Sequence, residues 1–352
     1  MTADLIAVVL LLAVAAYAGA GGTDYGAGFW DLTAGGTDRG RRPRWLIDHA
    51  MAPVWEVNNV WLIFVLVIMW TGFPVLFQTV FSAMWLPLAL AAMGMVLRGA
   101  GFAFRKPSRR LAGQRLYGAV FAVSSVVTPF FLGAAVGGVA SGRVKPGTEA
   151  SADAWTNPTS LVFGLVAVAT TAFLGAVFLT ADARRFGAPD LVGYFRRRAL
   201  GSLVILTALA VGTGFVTHGD SPYVWHGLTH GLGLLLVVVA GASAAATAWL
   251  LLRTPGTWMR VTAVAVVACA VLAWGTAQRP YLLPTSLTVA DAAGAPATLT
   301  WLAVVTLVAL VLVVPAVVLL YWLDTHGELE ELTDSELRRG GGAAGDATAH
   351  DS

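Results

Sequence analysis

The sequence predicts an all-α integral membrane protein with nine transmembrane helices, an N-terminus outside the membrane and a C-terminus inside. Composition is the first observation: of the 352 residues, 57% are apolar and only 12% are charged, whereas soluble domains carry about 25% charge. The second is that the apolar runs are long and continuous, unlike the short alternating strands of a β-barrel. Soluble enzymes, disordered proteins and disulfide scaffolds are therefore excluded. The net charge of +2 implies nothing about nucleic acid, and no nucleic-acid partner is expected.

Nine apolar runs are each long enough to cross a bilayer, which takes about 17–25 residues. The runs are residues 5–21, 57–77, 80–97, 116–140, 158–181, 199–217, 227–252, 261–277 and 300–323. The first run begins after Met1-Thr2-Ala3-Asp4 and lacks the positive charge of a signal peptide, so it is interpreted as a helix. Residues 1–323 are thus a nine-helix domain. Residues 324–352, acidic and then rich in Gly and Ala, are predicted to form a disordered cytoplasmic tail.

The positive charges set the orientation. The loops after the first, third, fifth and seventh runs, together with the tail, hold 19 of the 22 Lys and Arg residues. The opposite loops hold only Arg143, Lys145 and Arg279. Because short loops rich in Lys and Arg remain in the cytoplasm, this alternation predicts an outside N-terminus and an inside C-terminus.

Polar residues crowd where the first two runs meet the predicted cytoplasmic side. Asp24 follows a glycine-rich stretch, Glu56 opens the second run beside Asn58 and Asn59, and Arg98 ends the third run. Ionisable groups in a membrane are costly and mark functional sites by default, so these residues are candidates. The alternative is a structural cluster in which Asp24 and Glu56 cap helices or pair with Arg98. Asp31 and Asp48 are predicted to be surface charges of the loop.

A second polar group lies at the outer ends of the sixth and seventh runs and comprises His218, Asp220, His226 and His230. His226 and His230 are four residues apart, so a helix could present both on one face to a metal. No third ligand is evident, however, and an ordinary outer surface is the favoured interpretation. No histidine lies in the middle of a run, where it could hold a haem.

The segment Trp274–Pro284 contains two prolines and an arginine and ends the eighth run abruptly. A loop of about 22 residues follows. It is predicted to fold over the outer face of the protein or to dip back into it.

Four segments resemble subunit II of cytochrome bd-type quinol oxidases. They are Gly22–Gly28 (GTDYGAG), Ile47–Leu62 (IDHAMAPVWEVNNVWL), Leu97–Arg105 (LRGAGFAFR) and Gln278–Thr288 (QRPYLLPTSLT). The resemblance implies two four-helix bundles plus a peripheral helix. It also implies a multi-pass protein of a bacterial plasma membrane that forms a heterodimer with subunit I.

Subunit I would carry haem b and haem d, with no cofactor on this chain. The complex would oxidise quinol, reduce dioxygen to water and generate proton motive force. Further partners would be quinone, lipid and a small single-helix accessory subunit.

The resemblance also implies roles for individual residues. Glu56 and Asp24 match acidic residues of a cytoplasmic proton path, and Trp61 and Arg98 match positions with a role in gas access or charge stabilisation. The family often has another acid three residues before Asp24, where this chain has Gly21. The path would therefore contain fewer carboxylates here. Two alternatives remain: a secondary transporter, or a purely structural partner subunit.

Overall fold

The helices of the computed structural model follow the apolar runs. The structure describes residues 1–36, 40–51, 55–105, 111–147, 149–253 and 256–326. In chain order its elements are α1 (Thr2–Leu32), α2 (Arg41–Met51), α3 (Trp55–Gly72), α4 (Pro74–Ala83), α5 (Trp85–Arg105), α6 (Leu111–Ala140), α7 (Asp153–Thr156), α8 (Pro158–Arg185), α9 (Pro189–Asp220), α10 (Pro222–Thr229), α11 (Gly231–Arg253), α12 (Thr257–Ala277), β1 (Tyr281–Leu283), β2 (Leu287–Thr288), α13 (Val289–Ala292) and α14 (Pro296–His326). Among the described residues, eight helices are long and apolar enough to cross a membrane, and α3 with α4 forms a further apolar segment that is bent.

The bend between α3 and α4 corrects the predicted second run. That run was expected to continue from 57 to 77, but the helix axis turns by 117° between Gly72 and Pro74. Pro74 disfavours a helical conformation at the preceding residue, and Phe73 accordingly has φ −135° and ψ 65°. The third run then begins at Trp85 instead of residue 80.

The loop after α12 closes over this bend. It forms a two-stranded antiparallel hairpin, in which Tyr281 of β1 pairs with Thr288 of β2, followed by α13. Beyond α13, the Gly294 N–H donates a hydrogen bond of 2.8 Å to the Gly72 carbonyl at the end of α3. The loop therefore contacts the end of α3, and its predicted position on the outer face stays a prediction.

The central contact of the fold joins α1 to α8 through glycines. A Cβ atom on Gly26 would lie 1.9 Å from the Thr171 carbonyl oxygen, and one on Gly175 would lie 2.4 Å from the Gly26 carbonyl carbon. The two backbones therefore touch directly, as small residues allow between membrane helices. α1 also packs against α3, α6 and α12, so it is surrounded by other helices.

Ion pairs mark two opposite ends of the helices. At the first, called here the basic end, Arg44 bonds Asp31 at 2.8 Å, Arg42 bonds Asp190 at 2.7 Å, and Arg260 pairs with Asp182.

At the second, called the hairpin end, Arg143 bonds Asp220 at 2.6 Å and Arg279 lies 3.6 Å from Asp4. α1 runs from Asp4 at the hairpin end to Asp31 at the basic end.

Asp31 is not the surface loop charge that was predicted. It is 4% exposed and lies inside α1, which continues to Leu32 instead of ending near residue 21. The glycine-rich stretch stays helical because neighbouring helices pack against it. α2 then brings Arg44 back to Asp31, while Leu46 and Ile47 of α2 are buried among α8 and α9. Asp48 is also helical and half-buried in α2.

Residues from Thr300 onward form a second unit. Its described part is α14, which begins at Pro296 and continues to His326, slightly beyond the predicted run of 300–323. The predicted disordered tail, apart from its first residues, lies outside the described residues.

Candidate functional site

Asp24 and Asn58 form a buried polar pair between α1 and α3. Asp24 is 7% exposed and Asn58 is 3% exposed. The Asn58 amide Nδ2 donates a hydrogen bond of 2.6 Å to Oδ2 of Asp24. Within the described part of the chain, Asp24 accepts no other hydrogen bond. Asp24 lies two helical turns, or about 10 Å, from Asp31 at the basic end.

Arg98 of α5 lies beside this pair and is 5% exposed. Its guanidinium carbon is 4.7 Å from the centre of the Tyr25 ring and 5.1 Å from that of Phe121. Such desolvated cation–π contacts contribute about 2 kcal/mol. Its Nε donates to the Ser125 hydroxyl at 3.1 Å, and its charge acts on Asp24 without a direct ion pair.

One atom of Arg98 is unsatisfied. Its Nη2 is fully buried and finds no hydrogen-bond acceptor among the described residues. A buried donor without a partner costs about 1–3 kcal/mol, and more when it is charged. The group formed by Asp24, Asn58, Arg98, Tyr25 and Ser125, called here the Asp24 cluster, therefore has spare hydrogen-bonding capacity.

The other two predicted site residues lie on α3. Glu56 is the second residue of that helix, two residues before Asn58, but its side chain lies outside the described residues. Trp61 is half-buried and packs edge-on against Phe64, with ring centres 6.4 Å apart. In the part of the molecule described here, no hydrogen bond or ring contact joins Trp61 to the Asp24 cluster.

Sequence reasoning missed Tyr25 and Ser125. Tyr25 directly follows Asp24, and Ser125 belongs to a polar group of Ser124, Ser125 and Thr128 inside the fourth apolar run. Hydroxyl groups inside a predicted membrane helix were the feature of the sequence that could have indicated these residues. The sequence does not show that Ser125 contacts Arg98, because the two residues lie on different helices, 27 positions apart.

Asp220 at the hairpin end is bonded much more completely. Both terminal nitrogens of Arg143 donate to its two carboxylate oxygens, at 2.6 and 3.0 Å. The Thr159 hydroxyl adds a bond of 2.5 Å and the Thr159 N–H one of 3.4 Å. Arg143 also lies 3.4 Å from Asp153. These residues, called here the Asp220 clamp, tie α7, α8 and α9 to the loop after α6.

The histidines near the hairpin end contact one another. The rings of His226 and His230 stack with centres 4.1 Å apart, and the His230 Nδ1 lies 2.9 Å from the His226 carbonyl oxygen. α10 ends at Thr229, so His230 has an extended backbone and follows the helix. Stacked rings with centres 4.1 Å apart leave no room for a haem between them. Among the described residues, no group of three potential ligands could hold a metal ion.

The Asp24 cluster places a carboxyl group deep among helices, with one amide donor and a nearby fixed positive charge. The Asp220 carboxylate, by contrast, is fixed as an anion by its partners. Its hydrogen bond to Arg143 also raises the pKa of the arginine, so that cation stays charged.

Known proteins resemble this chain along most of its length. The family model for cytochrome bd terminal oxidase subunit II matches residues 2–324. Cytochrome bd-I ubiquinol oxidase subunit 2 of Escherichia coli strain K12 is 26% identical over 340 residues, covering 81% of this chain and 84% of the relative. Cytochrome bd ubiquinol oxidase subunit 2 of Bacillus subtilis strain 168 is 27% identical over 112 residues, or 32% of each chain.

A solved structure shares the fold. A chain in the structure of bd oxidase from Geobacillus thermodenitrificans superposes with a TM-score of 0.78 at 23% identity, covering 92% of this chain and 98% of that one. With the helices long enough to cross a membrane, these matches identify a multi-pass protein of the bacterial plasma membrane. The chain belongs to the cytochrome bd terminal oxidase subunit II family.

Proposed function

We propose that this chain supports the haem-bearing subunit I of its oxidase and conducts protons from the cytoplasm through Glu56 and the Asp24 cluster. Family membership makes it one subunit of an oxidoreductase complex that contains haem, uses quinol and includes a subunit I. In the proposed reaction, quinol is oxidised and dioxygen is reduced to water. Because the water-forming protons come from the cytoplasm, turnover generates proton motive force. The family match supports this reaction over the secondary transporter.

The observation that carries the proton path is the buried Asp24 carboxyl. Asp24 is 7% exposed and bonded only by Asn58 within the described residues, with the Arg98 charge nearby. A carboxyl kept in such a position is costly, so a functional role is the default interpretation. Glu56 lies one helical turn or less from Asn58 on α3 and is proposed as the entry to the path. Arg98 is proposed to stabilise charge on the path, and Trp61 to line a route for gas.

The haems are assigned to subunit I. All of this chain's histidines lie in the ends of helices, in loops or in the tail, and His226 and His230 stack on one another. The haems would supply electron transfer and dioxygen reduction in the complex, and no residue of this chain is proposed to ligate them. Quinone, lipid and a small single-helix accessory subunit would complete the assembly.

The orientation is proposed from the arginine alternation. Nine spans, in two four-helix bundles plus a peripheral helix, would place the N-terminus outside, the C-terminus inside and the basic end in the cytoplasm. Reporter fusions at Gly147 and Gly342 test this orientation directly. Opposite compartments for the two reporters are expected, with Gly342 in the cytoplasm. The same compartment for both would overturn the assignment.

The proton path is tested at Glu56. Glu56→Gln keeps the size and polarity of the side chain but cannot exchange a proton, whereas Glu56→Asp keeps the carboxyl. We expect the Gln variant to consume oxygen more slowly per haem, with normal haem content, and the Asp variant to retain more activity. Normal turnover of the Gln variant would contradict the path. Loss of haem from both variants would favour the purely structural role.

A further inference from the structure

Two tyrosine hydroxyls meet on α1, on the hairpin-end side of Asp24. The hydroxyl oxygens of Tyr17 and Tyr25 are 3.4 Å apart. The residues are eight positions apart, or about 12 Å along the helix axis, so the two side chains must point towards each other. Tyr17 is at the midpoint of α1, which runs from Thr2 to Leu32.

Gly21 makes this meeting possible. Long side chains on a helix usually lean towards its N-terminus. The Tyr17 ring instead lies beside Gly21, one turn towards the C-terminus. A Cβ atom on Gly21 would lie 3.0 Å from Cε2 and 3.3 Å from Cδ2 of that ring. The missing side chain at Gly21 therefore leaves the space in which the Tyr17 ring lies.

Tyr25 connects this pair to the Asp24 cluster. It is 5% exposed, and the Arg98 guanidinium lies over its ring at 4.7 Å. The unsatisfied Nη2 of Arg98 belongs to the same group. A relay from the Asp24 carboxyl to the Tyr25 hydroxyl requires one bridging water, and a buried donor such as this Nη2 is a group that commonly binds one.

We propose that Tyr25 and Tyr17 relay protons from the Asp24 cluster towards the middle of α1. The inference rests on the proposed proton path and names its next section. In each step, a phenol oxygen accepts a proton while its own proton passes to the next oxygen, so no ring ionises and no electron moves. The hydroxyl oxygens must approach by about 0.6 Å for the transfer, because O–H···O bonds are normally ~2.7–2.8 Å long.

The test uses Tyr17→Phe and Tyr25→Phe in the purified complex with subunit I. Phenylalanine keeps the ring that contacts Arg98 and the ring beside Gly21, and removes only the hydroxyl. We expect oxygen uptake per haem to fall about tenfold in each variant, less than the ~10²–10⁴-fold of a directly reacting acid or base. Tyr117→Phe is the matched control, because the Tyr117 ring packs against Phe104. Oxygen uptake per haem should be unaffected in this variant.

Combination with Asp24→Asn separates this relay from the proton path itself. If all three residues serve one path, Tyr17→Phe should add no further loss to the Asp24→Asn variant, because coupled residues are not additive. A slow Asp24→Asn variant with both tyrosine variants at full rate would overturn the relay and leave the proton path intact. A full rate for Asp24→Asn would overturn the proton path. Loss of haem from either tyrosine variant, or a fully additive loss, would also overturn the relay.

Discussion

Asp24 and Asp220 are carboxylates near opposite ends of the helices, and their surroundings differ in hydrogen bonding and in burial. Asp220 is held by both terminal nitrogens of Arg143 and by the hydroxyl and N–H of Thr159. Among the described residues, Asp24 receives only the Asn58 amide, and the nearest guanidinium leaves one nitrogen unsatisfied. A fully bonded carboxylate fixes helices in place. A partly bonded carboxyl that is more deeply buried, as Asp24 is at 7% exposure against 15% for the Asp220 side chain, is better suited to gain and lose a proton.

The largest effect is expected from separating α1 from α8. Gly26→Ala places a Cβ against the Thr171 carbonyl, and since both sides of the contact are backbone, neither can give way. We expect a loss of stability above about 4 kcal/mol, the exceptional range for a point mutation, and little assembled complex. The measurement is the yield of haem-containing complex in membranes.

Gly99→Ala makes the same chemical change beside Arg98, where an added Cβ meets nothing within 4 Å. This variant should assemble normally and could gain slightly in helix propensity. Equal yields of the Gly26 and Gly99 variants would show that the α1–α8 contact is not required to hold the Asp24 cluster together.

A smaller effect is expected at the Asp220 clamp. Asp220→Asn keeps the shape but removes the charge that Arg143 requires, so the free energy of unfolding should fall by about 1.5–3 kcal/mol. Thermal loss of the haem spectrum from the purified complex measures the change. Asp190→Asn is the matched control, because Asp190 and Arg42 are 53% and 64% exposed and such pairs contribute about 0–1 kcal/mol. A control as unstable as the Asp220 variant would argue against the clamp.

The smallest effect is expected at Ser125. Ser125→Ala removes the acceptor for Nε of Arg98 while the contacts with the Tyr25 and Phe121 rings remain. The expected loss is about 1 kcal/mol of stability, with a small decrease in turnover. Ser124→Ala is the control, since the Ser124 hydroxyl donates to the Phe121 carbonyl and, among the described residues, has no bond to Arg98. If the two variants had the same turnover, Ser125 would have no role in positioning Arg98.

Much of the fold is predictable from the sequence because hydropathy is a local property. The apolar runs coincide with helices, and the excess of Lys and Arg in alternate loops coincides with the basic end. The errors arise where tertiary contacts override local pattern. Asp31 is buried because α2 returns Arg44 to it, and the second run bends because Pro74 interrupts the helix although the apolar run continues past it.

Only part of the Asp24 cluster was predictable from the sequence, and its pairing was not. Asp24 and Arg98 were chosen because charges are rare in apolar runs, and the structure brings both into one cluster. The hydrogen bond between Asp24 and Asn58 joins residues 34 positions apart, and no local pattern indicates such a distance. Tyr17 was overlooked for a related reason: its orientation depends on the missing side chain at Gly21.

The central claim is that the incompletely bonded carboxyl carries protons and the fully bonded one does not. The most direct measurement is oxygen uptake per haem in purified complexes carrying Asp24→Asn or Asp220→Asn, with haem content as the assembly check. We predict a decrease of ~10²-fold for Asp24→Asn, in the range of a proton-transferring group, and a full rate for Asp220→Asn. A full rate for Asp24→Asn, or an equal loss in both variants, would contradict the claim.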